Sequence, residues 1–334
     1  MEKTRKPVLS RVRKGCHGVL YSLNLLESCP CGCLHCRHSA RQQPLASPNP
    51  QLDVLLAREL ERKARRSNRP AFILVGTSCE PFSGLSEVQR VAIKCLKLLF
   101  ERRVGVSLET RGRIPGEAFE LFSRYRESVR VRIAIPSIDP QVINAWEPGC
   151  ADVETRLFNL QKLRRADIPA MLHIGPIIPF VNDGSEHYRE LLSTASDLHF
   201  RRVTTSIFRP YPGVREVIDS TGATTGDLIL GSYLDRTAYP PMPRRILPVE
   251  KRSGFYREIR EGARKYGLSV GVCGCDDEDL GTPPCSLGFG ISRRSVKRVG
   301  TGKFPTVPSS SQHISSRSRI RPKDPSGSLF PGED

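Results

Sequence analysis

The sequence predicts an α/β fold: a partial (β/α)6 TIM-type barrel with a C-terminal extension and a disordered tail. Three observations predict it. Short apolar runs recur between residues 19 and 208, each bounded by turn residues, as buried parallel strands require. Helix-length segments with apolar residues at three- and four-residue spacing lie between them. Beyond residue 292 the chain turns to Ser, Arg, Pro and Gly, a composition that buries too little apolar surface to fold alone.

The elements follow in order. Residues 1–18 read as a basic leader, with six Lys/Arg and one Glu up to Lys14. Residues 19–26 (VLYSLNLL) are apolar and β-prone, the first strand. A cysteine-rich loop follows, then a Pro-rich polar stretch over 40–51. Residues 52–66 predict a helix with leucines at 52, 55, 56 and 60 and a basic C-terminal end. Five more strands are predicted over 71–76, 105–110, 129–138, 170–178 and 202–208. Helices are predicted over 86–102, 116–125, 140–146, 153–166 and 185–198. This alternation implies βα units and a parallel sheet. Residues 209–250 are Pro-rich and read as irregular, 251–266 as a helix, and 268–272 as a short strand. The domain reading is a leader over 1–18, a core over 19–212, an extension over 213–292 and a basic tail over 293–334.

In such barrels chemistry sits at the C-terminal ends of the strands. Directly after the first strand comes Ser28-Cys-Pro-Cys-Gly-Cys-Leu-His-Cys-Arg37. Cys29, Cys33 and Cys36 are spaced C-x3-C-x2-C. Three thiolates this close can hold one cluster and leave a metal position open, as catalytic metal sites do. A structural zinc knuckle is the competing reading, and Cys31 adds other ligand choices.

The C-x3-C-x2-C spacing resembles the radical S-adenosylmethionine (SAM) superfamily. Later segments are similar to its spore photoproduct lyase-like branch, a group also described as DNA-repair photolyase-like. The second strand ends Gly76-Thr77-Ser78-Cys79-Glu80-Pro81-Phe82, partly similar to that branch's Thr-Asp-Pro-Tyr-Gln-Pro. Glu147-Pro148-Gly149, then Arg156 and Ala166-Asp167-Ile168, resemble its Glu-Pro-Gly…Arg-Leu…Ala-Gly-Ile run. Pro176-Ile177-Ile178-Pro179 with Asn182-Asp183 resembles a further segment. The resemblance covers residues 19–212.

It implies a [4Fe–4S] cluster on Cys29, Cys33 and Cys36, with SAM on the free iron. One electron would then cleave SAM and give a 5′-deoxyadenosyl radical that takes a hydrogen from substrate. His35 stands where the family has an aromatic. Thr77 and Ser78 would meet the methionyl amino group, and Arg111 the carboxylate. Glu109 would lie near the ribose or substrate. Ser137 and Arg156 would serve SAM's ribose or carboxylate. Gly175 would let the backbone approach the adenine, with Ile174 and Ile177 as apolar walls and His173 a hydrogen-bonded strand residue. Arg209 would face substrate, and Cys79 is a candidate hydrogen donor. The implied electron donor is a flavodoxin or ferredoxin.

Cys273, Cys275 and Cys285 form a second constellation. Its readings are an auxiliary cluster, zinc, a thiol hydrogen donor, or reduced thiols without a task. Eleven cysteines in a chain with neither a secretory signal nor an apolar run of about 18 residues point to a cytoplasmic protein using metal or redox chemistry, with no membrane. The formal charge of +17 is concentrated partly at the ends, with nine Lys/Arg and no acid over 293–323. A nucleic acid, DNA or RNA, is therefore a candidate partner beside a merely solvated tail. Two alternatives stand: a radical SAM enzyme acting on a small molecule, peptide or tRNA, and a non-catalytic zinc-dependent nucleic-acid-binding protein.

Overall fold

The computed structural model describes residues 8–12, 21–26, 28–37, 47–219, 226–236, 244–272 and Leu280. Cys273, Cys275 and Cys285 and the tail lie outside these residues.

The chain opens with β1 (Leu9–Arg11) and β2 (Tyr21–Leu23), then α1 (Leu52–Arg65), β3 (Phe72–Val75), α2 (Ser86–Glu101), β4 (Gly105–Thr110) and α3 (Gly116–Arg124). It continues with β5 (Val129–Ala134), α4 (Pro140–Trp146), α5 (Val153–Arg165), β6 (Ala170–Ile177), α6 (Arg189–Asp197) and β7 (Arg202–Ile207). The last elements are α7 (Val214–Asp219), α8 (Gly226–Gly231), β8 (Leu234–Arg236), β9 (Arg244–Ile246), α9 (Val249–Lys265) and β10 (Ser269–Val272).

One eight-stranded sheet runs β1-β2-β3-β4-β5-β6-β7-β10 and does not close. Every pair from β2 onward is parallel, while β1 pairs antiparallel with β2, Leu9 facing Leu23. Both faces of the sheet are covered: β3, FILV, and β5, VRVRIA, are buried at every position. Helices present apolar stripes to them, as α2 does with Val88, Val91, Ala92, Cys95, Leu96 and Leu99. Local signals set the boundaries. Asp139 caps α4 by accepting from Gln141 N, ahead of Pro140, and Asp152 caps α5 by accepting from Thr155 N.

The six predicted core strands are β2 to β7. Three expectations need correction, and one predicted strand joins the main sheet. The leader is not wholly outside the fold, because Leu9–Arg11 forms the antiparallel edge strand β1. The strand over 268–272 becomes β10 and extends the parallel run to seven, beside β7. The helix over 185–198 splits, with a 3-10 turn at Ser185–His187 before α6. The stretch 209–250 is not irregular throughout. It holds α7, α8 and the β8–β9 hairpin, because apolar pairs such as Val214 with Ile218 and Ile229 with Leu230 reach the core. Tyr233 then packs edge-on against Phe208 and donates its hydroxyl to Phe208 O at 2.8 Å.

Candidate active site

The cysteine loop emerges from the C-terminal end of β2 and is fastened to three neighbours. Leu34 N donates to Trp146 O at 2.9 Å, and Gly149 N donates to Cys31 O at 2.9 Å. The Tyr211 hydroxyl donates to Leu34 O at 2.8 Å. Residue 149 must be glycine for this contact, since a Cβ there would stand 2.7 Å from Cys31 Cα. Gly76, at the end of β3, is constrained twice: φ is +90° and a Cβ would meet Glu109 O at 1.8 Å.

Around this loop lie six thiols: Cys29, Cys31, Cys33, Cys36, Cys79 and Cys150, all free. Glu80 N donates to Cys29 Sγ at 3.4 Å, and Cys36 N to Cys33 O at 3.1 Å. Cys33 and Cys150 place their sulfurs 3.5 Å apart. Hydrogen bonds from Cys31 and Cys79 hold the Cys29 thiol well below the usual range, favouring thiolate. Cys79 shows the reverse: its contact with Cys29 and its burial push it up and keep its S–H. Cys150 was not anticipated. Its signal was its place directly after Glu-Pro-Gly.

Behind the thiols a charged network fills the mouth of the barrel. Glu147, fully buried, accepts from Arg111 Nε at 2.8 Å on Oε1 and pairs there with His35 Nε2 at 2.9 Å. Its other oxygen accepts from Arg156. Glu109 accepts from Arg111 Nη1 at 3.1 Å and from Arg132. Burial alone would raise both carboxyls. Arg156 and Arg111 outweigh it at Glu147, Arg132 and Arg111 outweigh it at Glu109, and both lie well below the usual carboxylate range. Glu80 ties the end of β3 to the end of β4, accepting from Phe82 N at 3.0 Å, Thr110 Oγ1 at 2.5 Å and Arg111 N at 2.7 Å. Desolvation there wins, raising its pKa to about 7.

A cavity of about 270 Å³ opens beside this network, lined by His35, Glu109, Arg111, Arg132, His173, Pro176, Ser206 and Arg209 among others. His35, Glu109, Arg111 and Arg209 thus meet in one place. Strand alternation corrects the expectation for Ile174. His173 lines the cavity, while Ile174 belongs to the apolar core. His173 is satisfied, pairing with Thr204 Oγ1 at 2.9 Å and Ser206 Oγ at 3.1 Å. Gly175 packs tightly on Ser206, where a Cβ would stand 3.0 Å from its carbonyl oxygen.

Ser137 and Arg156 have partners within the protein. Ser137 Oγ accepts from Asp139 N at 2.9 Å and pairs with His187 Nδ1 at 2.9 Å. Arg156, with no exposed surface, donates to Ala151 O, Ala134 O and Glu147. Neither lines the cavity. Thr77 is exposed in the loop after β3, and the buried Ser78 hydroxyl has no protein partner. Arg132 was also missed. Its signal was the alternation of β5, where arginines at 130 and 132 interleave with Val129, Val131 and Ile133.

The donor set fits an iron–sulfur cluster with SAM beside it. Three cysteines share one loop at a strand end, an amide N–H faces one sulfur, a buried hydroxyl lacks a partner and an arginine lies next to the thiols.

A family model described as the Radical SAM superfamily matches residues 23–192, about half of the chain. Among solved structures, the fold is similar to spore photoproduct lyase complexed with dinucleoside spore photoproduct. The TM-score is 0.60 and the identity 16%, over 80% of this chain and 79% of that one. A variant of that lyase with bound AdoMet and dinucleoside spore photoproduct gives 0.60 and 15% over the same shares. A search of curated protein sequences gives no match. The family match, which takes in the cysteine loop near its start and reaches into α6, shows that the chain belongs to the radical SAM superfamily, whose cofactors are a [4Fe–4S] cluster and SAM.

Proposed function

We propose that Cys29, Cys33 and Cys36 hold the cluster, and that the cavity beside them receives SAM and a substrate from which hydrogen is abstracted. The observation that supports this reading is the thiol loop standing beside a cavity lined by Arg111, Arg132 and Arg209, at the ends of the parallel strands. When bound, the cluster supplies the electron that cleaves SAM and releases a 5′-deoxyadenosyl radical. The protein's residues bind, orient and seal. Arg111, fixed by Glu147 and Glu109, presents a guanidinium for a carboxylate. Thr77 and the Ser78 hydroxyl face the methionyl end. Glu147 and Arg156 act from behind, holding Arg111 and His35 in place. Cys79 is the hydrogen donor in this reading, its thiol kept protonated by its contact with Cys29 and by burial.

For the substrate we propose a nucleic acid, acted on in a repair or lyase-like reaction. The basic balance of the chain supports this, as does the likeness in fold to a lyase seen with a dinucleoside photoproduct. An electron donor such as flavodoxin or ferredoxin and a cytoplasmic setting accord with the free thiols. Among the described residues no helix is long and apolar enough to cross a membrane.

Anaerobic reconstitution with iron and sulfide, followed by SAM and dithionite, tests the assignment. The expected result is a coloured protein that releases 5′-deoxyadenosine, with Cys33→Ala losing both. A colourless, zinc-loaded protein that leaves SAM intact would overturn it. The substrate class is tested with residues 1–292, expected to bind DNA or RNA with an affinity that falls as salt rises. If that protein cleaves SAM but ignores nucleic acid, the substrate is a small molecule or peptide.

A further inference from the structure

We propose that, before any cluster is loaded, the protein carries a second metal site for one thiophilic divalent cation, zinc above all. The site is built from Cys33, His35, Glu147 and Cys150. One donor atom from each of Cys33, His35 and Glu147 lies within 4.8 Å of the others. A thiolate, an imidazole and a carboxylate are the donors zinc takes. Glu147 stays with Arg156 through Oε2, and Oε1, which lies beside His35 and accepts from Arg111 Nε at 2.8 Å, must exchange that bond or share its second lone pair with the cation.

Cys150 lies outside that 4.8 Å set and is the fourth donor, closing on the metal from beside Cys33. Its sulfur lies 3.5 Å from Cys33 Sγ. Two thiolates on one tetrahedral zinc, each about 2.3 Å from the metal, stand about 3.8 Å apart. The observed spacing is therefore close to that of two thiolates sharing one zinc. The backbone supports the pairing. Leu34 N to Trp146 O and Gly149 N to Cys31 O clamp the two segments that carry Cys33, His35, Glu147 and Cys150. Binding displaces the thiol protons to solvent and involves no redox step.

The consequence is competition. The zinc site and the cluster triplet share Cys33, so both cannot be filled. Zinc would hold the chain in a cluster-free state, and Cys150 would be what tightens that hold. The competition rests on the cluster assignment above. The zinc site itself does not.

The test titrates cobalt(II), as a coloured substitute for zinc, into the cluster-free full-length protein under anaerobic reducing conditions. The chain carries Cys273→Ser, Cys275→Ser and Cys285→Ser to silence the C-terminal thiols. One equivalent should produce intense thiolate-to-cobalt absorption. Cys150→Ser and His35→Ala should each weaken binding at least tenfold in a chelator competition, with circular dichroism unchanged. Cys29→Ser and Cys36→Ser should bind within about twofold of the parent. Full binding by Cys150→Ser, or equal loss in Cys29→Ser and Cys36→Ser, would overturn the site and give the metal to the triplet. In a second measurement, one equivalent of zinc should slow iron and sulfide uptake several-fold in the parent and less in Cys150→Ser. If neither protein takes up a cluster without zinc, the cluster assignment fails while the cobalt result stands.

Discussion

Glu147 holds three basic side chains with two oxygens, and it does so with no exposed surface. Replacing it with alanine leaves the Arg156 guanidinium buried without its carboxylate. The expected loss is about 3–5 kcal/mol of stability, read from urea denaturation. Glu147→Gln should recover part of the hydrogen bonding but not the charge. His173 gives the pH counterpart. Burial and Arg132 depress its pKa to about 3, so the folded protein keeps it neutral. Below about pH 6.5 the unfolded chain takes up a proton that the folded chain refuses, so this contribution is present at neutral pH and is lost as pH falls. Between pH 6.5 and pH 5 the loss should be about 1.5 kcal/mol, and His173→Gln should flatten that part of the stability curve. At this scale the sequence was an uneven guide. The spacing of the cysteines and the Arg111 position could be read because the strand-end rule locates them. Cys150 and Arg132 left only faint signals, because their partners stand 117 and 23 residues away and only the fold brings them together.

Among the elements, α4 and the turn after it position the site most directly. Pro140 and the Asp139 cap start α4, and the helix ends at Trp146, whose carbonyl receives the cysteine loop. Gly149 then approaches Cys31 so closely that Gly149→Ala must push the two segments apart. The expected outcome is a folded protein with a thermal midpoint lowered by several degrees and iron incorporation reduced several-fold, measured by iron analysis after reconstitution. Helices and strands between residues 52 and 208 were legible because their periods differ and their turns are marked. β4 and α4 fall on the predicted boundaries without change. The stretch 209–250 was less legible. α7 and α8 are six residues each, too short for an apolar stripe to declare itself, and prolines dominate the composition around them.

For the whole molecule, the open sheet leaves two edges that the chain treats differently. β1 covers one side of β2 with a three-residue antiparallel strand, and β10 covers β7. A chain ending at Gly267 lacks β10 and exposes the β7 ladder along Arg202–Thr205. It should self-associate in analytical ultracentrifugation where the full chain does not. The clamped cysteine loop bears on the molecule in another way. Small zinc domains are unfolded until metal arrives, and metal affinity there is folding free energy. Here carbonyls of Trp146 and Cys31 and the Tyr211 hydroxyl already hold the loop on a core that owes nothing to iron. Loading is then the filling of a finished cup. An oxygen-damaged protein that has shed its iron should keep its secondary structure and melt within a few degrees of the loaded form, so it can be recharged without refolding.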